Sequence, residues 1–101
     1  MNTIEEIYNN ILPEEWEQIQ TMAGLFFDAK AICIAMNWDE TMLEHIKLSI
    51  EIMDINDPFY REYFAGRLTG EIELRQSIKQ AAQNGSNPAQ NTLLTFLTQT
   101  K

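Results

Sequence analysis

A polar turn between two apolar segments, in residues 32–43, restricts what this chain can fold into. Ile32 and Met36 are four residues apart and would share one helical face. Asn37 tolerates the left-handed backbone that ends many helices. Asp39 is a suitable N-cap, because its carboxylate can accept a hydrogen bond from a free amide of the next helix. The segment therefore predicts two short helices joined by a tight turn, a helix-turn-helix.

The side chains around this turn are expected to pack against each other. Met42, Leu43 and Ile46 recur at helical spacing and would face back toward the first helix. Cys33 is a small residue where the second helix must pass close, and Trp38 would fill the corner. Cys33 has no obvious base partner in the sequence, so we expect a structural role for it rather than a nucleophilic one.

Helical periodicity and capping signals extend along the whole chain and predict an all-α fold of about five helices. Thr3 and Asp28 are candidate N-caps, and Pro13 suits the first turn of a helix. One apolar stripe follows Pro13 and is expected to be core: Trp16, Ile19, Met22, Ala23, Phe26 and Phe27. The helix after Asp39 is expected to reach about Asp54 and to bury Leu43, Ile46, Ile50 and Met53, with Leu48 and Ile52 widening the buried stripe.

Asn56-Asp57-Pro58 is the clearest boundary in the chain. With Asp57 as cap and Pro58 in the first turn, a helix can run to Asn84, about 40 Å at 1.5 Å per residue. Gly66 and Gly70 lie inside it, and each costs about 1 kcal/mol relative to alanine. Close packing of another helix at these glycines is the favoured explanation, and a bend is the alternative.

A turn at residues 84–88 separates the long helix from a last amphipathic helix, and the two are expected to form an antiparallel hairpin. We therefore predict a single domain over residues 1–101. Its front, residues 1–56, would resemble a helix-turn-helix, and residues 57–101 would form a long-helix hairpin suited to self-association.

The net charge is −8 and is unevenly distributed. Residues 1–57 carry twelve acidic side chains against Lys30 and Lys47, whereas residues 58–101 carry five basic and three acidic side chains. This balance argues against strong non-specific binding to nucleic acid, because such binding depends on lysine and arginine side chains that neutralise phosphates. The asymmetry suggests front-to-back association of copies, and simple solubility is the alternative explanation.

The remaining composition limits the chemistry. The single cysteine excludes an intramolecular disulfide framework and a multi-cysteine metal site, and we expect no metal and no cofactor. The longest apolar run, residues 31–36, is too short to span a membrane, and the acidic N-terminus lacks a signal-peptide core. The expected location is therefore the cytoplasm. Cys33 has no evident base partner, His45 has no second histidine for a metal site, and no glycine-rich phosphate loop occurs, so we do not expect an enzyme.

Two patterns resemble phage terminase small subunits. Residues 32–43 follow a general helix-turn-helix pattern of the type Ile-Ala-x-x-Leu-Gly-Val-Ser-x-x-Thr-Leu, matched here by Ile32, Cys33, Met36, Asn37, Trp38, Asp39 and Leu43, with Met42 in place of the threonine. The segment that follows the helix-turn-helix in such proteins is similar to Gly66-x-x-x-Gly70-Glu71-x-Glu73-Leu74-Arg75-x-Ser77-Ile78-x-x-x-Ala82-x-x-Gly85-Ser86-x-x-Ala89. Together the two patterns cover about residues 28–97.

The resemblance implies recognition of duplex DNA at a packaging site, ring-like assembly into a homo-oligomer, and binding to the terminase large subunit, which would supply the ATPase. Two alternatives stay open. The chain could be a non-enzymatic phage-related adaptor whose helix-turn-helix serves protein interaction, or a small transcription regulator.

The helix after Asp39 would offer Thr41, Glu44, His45 and Lys47 to a DNA groove. The pattern departs here from typical recognition helices, since guanine is usually contacted by arginine or lysine and adenine by asparagine or glutamine. Glu40 and Glu44 would repel phosphates unless one accepts a hydrogen bond from a cytosine amine. An ordinary surface position is the alternative for His45. DNA binding is therefore expected to be weak per subunit and to gain from several sites in an oligomer.

Overall fold

The computed structural model describes residues 3–85 and 87–99 and contains six α-helices in this part of the chain. In order they are α1 (Ile4–Asn9), α2 (Pro13–Gly24), α3 (Ala29–Ala35), α4 (Glu40–Glu51), α5 (Pro58–Gln83) and α6 (Asn87–Gln99). These residues contain no strand, so the all-α prediction is confirmed, with six helices where about five were expected. None of the helices is long and apolar enough to cross a membrane, as far as the described residues go.

The chain divides into two compact units, Met1–Gly70 and Glu71–Lys101. The first unit contains α1 to α4 and the first half of α5, because Phe59 is fully buried in its core. The second unit contains the remainder of α5 and α6.

The core of the first unit is apolar. Its largest fully buried side chains come from four helices, and each stabilises the fold by about 1.5–3 kcal/mol relative to an exposed position: Ile19, Ile32, Met42, Ile46 and Phe59. Cys33 and Ala23 complete the contacts where helices approach closely.

Helix N-termini are capped by the residues that the sequence indicated. Thr3 Oγ1 accepts a hydrogen bond from Glu6 N at 3.2 Å, and Asp28 Oδ1 accepts one from Ala31 N at 2.8 Å. Pro13 occupies the first helical position of α2. Each such cap contributes about 1 kcal/mol to helix stability, so these short helices begin where the sequence predicts.

The glycines of α5 lie directly on the backbone of α2. A Cβ added to Gly66 would come within 2.7 Å of Gln20 Cα, and one added to Gly70 would come within 2.8 Å of Gly24 Cα. Gly24 in turn lies against the carbonyl oxygen of Gly66, at 2.9 Å from its own ideal Cβ position. The prediction of a close helix crossing at Gly66 and Gly70 is therefore confirmed.

The predicted apolar stripe of α2 is wrong at its C-terminal end. The helix ends at Gly24, and Phe26 adopts a left-handed backbone with φ of 66°. Phe27 N donates to Met22 O at 3.1 Å and so closes the last turn. Because the chain turns here, Phe26 and Phe27 remain 44% and 45% exposed instead of entering the core.

The predicted inner face of α4 is also wrong at the C-terminal end of the helix. This helix ends at Glu51, and Met53 has a left-handed φ of 54° and is 70% exposed. Leu48 and Ile52 are also exposed, while Ser49 is buried and satisfies its hydroxyl by donating to Ile46 O at 2.8 Å.

The second unit is the antiparallel hairpin that the sequence predicted. Gln90 Nε2 donates to Ala82 O at 3.0 Å near the turn, and the Arg75 guanidinium lies 4.3 Å from the centre of the Phe96 ring farther along. Gly85 adopts a φ of 93°, which favours glycine and ends α5. Ser86 lies outside the described residues.

Candidate functional site

The predicted helix-turn-helix is formed by α3, a turn at residues 36–39, and α4. Asn37 has the expected left-handed backbone, with φ of 58°. Asp39 Oδ1 accepts a hydrogen bond from Met42 N at 2.9 Å and so caps α4. These two residues fix the direction in which α4 leaves the turn.

We call α3, the turn at residues 36–39 and α4 the elbow. Cys33, the small residue where the two helices cross, holds the elbow together. Cys33 is 3% exposed, and its thiol donates to the carbonyl oxygens of Trp38 and Asp39, each at 3.6 Å from Sγ. Burial, and then the nearby negative charge of Asp39, raise the pKa of the Cys33 thiol above its ordinary value. A protonated, enclosed thiol suits packing rather than nucleophilic attack.

Three of the four candidate DNA-contacting residues share the solvent face of α4. Thr41, Glu44 and Lys47 are all exposed. At 3.6 residues per turn they span an arc of about 120° around the helix. The structure therefore presents them together, on the face directed away from the core.

His45 is directed elsewhere. Its ring is half-buried, and Nε2 lies 2.7 Å from Oδ1 of Asp57. The imidazole also packs edge-on against the ring of Tyr8, with centroids 5.9 Å apart. The structure thus separates His45 from the exposed arc and places it in a polar cluster among α1, α4 and the start of α5.

Asp57 is the centre of this cluster and is only 7% exposed. The hydroxyl of Tyr8 donates to both of its carboxylate oxygens, at 3.1 and 2.9 Å. The backbone amide of Tyr60 donates to Oδ2 at 3.2 Å, so Asp57 also caps α5 as predicted. Together with His45, these donors compensate a carboxylate that would otherwise be costly to bury.

The Tyr8 hydroxyl is a donor in this cluster and stays protonated. Burial raises the pKa of Tyr8 well above its usual range, and the hydrogen bond to Asp57 and the negative charge of that carboxylate raise it further. The sequence indicated Asp57 as a cap, but nothing local in the sequence linked it to Tyr8, which is 49 residues away. The cluster joins α1, α4 and the start of α5.

Groups of three or more histidine, cysteine, aspartate or glutamate side chains arranged to hold a metal ion do not occur among the described residues. No protein-family model matches the chain, and no curated protein or solved structure matches it significantly.

Proposed function

We propose that this protein is a non-enzymatic DNA-recognition and assembly protein similar to phage terminase small subunits. It binds duplex DNA at a packaging site weakly per subunit, acts as a homo-oligomer, and engages the large ATPase subunit. The observation that carries the proposal is the exposed arc of Thr41, Glu44 and Lys47 on α4, the second helix of a capped elbow. In helix-turn-helix proteins this second helix lies in the major groove.

The three exposed side chains have distinct roles in this proposal. The Thr41 hydroxyl can donate to or accept from a base edge, and the Glu44 carboxylate can accept from the amine of cytosine. Lys47 neutralises a phosphate. His45 supports the interface indirectly, because its contact with Asp57 holds α4 against the start of α5.

Assembly is supported by apolar side chains that the first unit leaves exposed. Phe64 and Leu68 lie four residues apart on α5, at 51% and 45% exposure. With Ile55 and Tyr60 they line a groove of about 470 Å³. A second copy that covers this groove would remove its apolar surface from water. An oligomer would also carry several weak DNA-binding sites, which together bind one duplex more tightly than a single site does.

A protein-interaction adaptor is the second candidate function, and the charge of α4 favours it. Glu40, Glu44 and Glu51 are all exposed on this helix, against Lys47 as its one basic residue. Such a surface repels phosphates and suits a basic protein partner. In that case the elbow would serve as a scaffold without touching DNA.

Light scattering behind size exclusion tests the two candidates, at low and high salt, with and without a mixed pool of duplex DNA. A closed oligomer that shifts with DNA at low salt supports the packaging function. A monomer or dimer indifferent to DNA at both salt concentrations favours the adaptor.

Thr41→Ala then tests the proposed face of α4. Loss of one hydrogen bond, about 1 kcal/mol, should weaken binding to the preferred duplex about fivefold. Thr69→Ala is the matched control, because Thr69 is an exposed threonine on α5. Equal affinities for the two variants would argue against base contact by α4.

A further inference from the structure

One cleft of the first unit is lined by both lysines of the acidic segment, residues 1–57. Lys30, near the start of α3, and Lys47, in the later half of α4, line the same cavity of about 330 Å³. Residues 1–57 contain no other lysine or arginine. Asp28, Ala29, Ile50 and Tyr63 complete the lining.

Neither lysine forms a hydrogen bond or an ion pair with any residue that the structure describes, although twelve acidic side chains occur in this part of the sequence. Arg67, by contrast, is committed to the fold. It donates to the carbonyl oxygens of Ala23 and Phe27 and to the Tyr63 hydroxyl. Unlike Arg67, the two lysines are therefore not engaged by the described part of the fold and can contact a ligand.

The charge arrangement in the cleft favours an anion. Two lysine side chains line this cavity, and their positive charges favour an anion there over a neutral or cationic ligand. Asp28 is the acidic residue in the lining, but its Oδ1 accepts a hydrogen bond from Ala31 N at 2.8 Å, so part of its charge is compensated at the start of α3. Lysine is a common partner of phosphate groups in proteins.

The position of the cleft favours phosphate of a nucleic acid backbone. Lys47 ends the exposed arc that begins at Thr41, and Lys30 lies on the neighbouring helix of the elbow. In helix-turn-helix complexes the second helix occupies the groove while the first crosses the sugar–phosphate backbone. A strand that flanks α4 on its Lys47 side would also pass Lys30.

We propose that the cleft between the start of α3 and the later half of α4 binds phosphate groups through Lys30 and Lys47. This inference rests on the proposed function for the source of the phosphate, which is the DNA backbone. It adds Lys30 to the interface, beside the phosphate contact that the proposed function already gives to Lys47.

Fluorescence anisotropy with labelled duplexes of several sequences, over a series of salt concentrations, tests the cleft. Lys30→Gln and Lys47→Gln should each reduce the slope of log K against log salt by about 0.9, and the double variant by about 1.8, equally for all sequences. Lys79→Gln is the control, because Lys79 is an exposed lysine of the second unit. If the cleft variants change the slope no more than Lys79→Gln does, the cleft proposal is overturned while DNA binding stands.

A second measurement separates the cleft from the proposed function. Inorganic pyrophosphate, titrated into the isotopically labelled full chain, should shift the amide resonances of Lys30 and Lys47, and the double variant should abolish these shifts. Shifts without any duplex binding would retain the phosphate cleft and refute its DNA source. A protein that shows neither shifts nor duplex binding would refute both, and shifts with an acidic peptide but not with pyrophosphate would overturn the phosphate assignment.

Discussion

Replacing Gly70 by alanine tests the close crossing of α2 and α5. Two effects of this change act on the free energy of unfolding with opposite signs. Helix propensity alone favours the alanine by about 1 kcal/mol. The added Cβ, however, would lie within 2.8 Å of both Cα and C of Gly24, closer than atoms of two helices pack. Backbone atoms cannot rotate away as a side chain can, so the upper part of the usual ~1–3 kcal/mol cost of overpacking applies. The expected net effect is a destabilisation of about 2 kcal/mol.

Urea and thermal unfolding, followed by circular dichroism, measure this effect. At about 4–8 °C per kcal/mol for a chain of this size, the melting temperature should fall by about 8–16 °C. The dependence of the unfolding free energy on urea should keep its slope, since the variant changes the stability and not the surface exposed on unfolding.

Thr69→Ala is the control for this experiment, because it replaces the exposed neighbour of Gly70 in the same helix. Its stability should stay within about 0.5 kcal/mol of the native protein. A Gly70→Ala variant that melts at or above the native temperature would refute the reasoning, because propensity would then act without any steric opposition from α2.

Three further substitutions test the polar cluster and the elbow. Tyr8→Phe removes the donor to both oxygens of Asp57 and should cost about 1.5–3 kcal/mol at neutral pH by urea unfolding. Burial and Asp57 raise the pKa of Tyr8 in the folded protein. The native protein should therefore lose stability as the pH rises above about 10, where the phenol of the unfolded chain ionises. Tyr8→Phe should lack this part of the stability loss. Cys33→Leu overfills the crossing of α3 and α4 and should lower stability by about 1–3 kcal/mol, so an unchanged melting curve would refute that placement. Asp39→Ala removes the cap on Met42 N and should cost about 0.5–2 kcal/mol, which Asp39→Asn should largely restore.

The features that the sequence predicted correctly are those that neighbouring residues determine. Asp28, Asp39 and Asp57 cap helices because a short acceptor side chain placed before a helix reaches an amide two or three residues later. Asn37 ends a helix for an equally local reason, since asparagine tolerates the left-handed backbone.

Helix ends that depend on packing could not be predicted in this way. The left-handed residues after α2 and α4 are Phe26 and Met53, neither of which favours that conformation. Apolar periodicity continued past both ends, so it predicted buried side chains where the chain had already turned. Ser49 shows the reverse case, because a polar residue enters the interior once its hydroxyl is satisfied by the backbone.

The sequence grouped Thr41, Glu44, His45 and Lys47 because they follow one another on a single helix. Spacing places three of them on one exposed face, and the structure agrees. The departure of His45 depends on Tyr8 and Asp57, which are distant in the sequence and come together only through the packing of α1, α4 and α5. Sequence reasoning could identify Asp57 as a cap but could not identify its other partners.

The cluster also determines what His45 can contribute to any interface. Asp57 is nearly excluded from water, and His45 is one of the donors that compensate its carboxylate. If the imidazole left to contact a ligand, that carboxylate would lose a partner that water cannot readily replace, at a cost of about 1–3 kcal/mol. A single hydrogen bond to a base contributes about the same amount or less, so the exchange gives no net gain. His45 therefore serves to hold α4 in place, and the DNA-contacting face that we propose for this helix is limited to Thr41, Glu44 and Lys47.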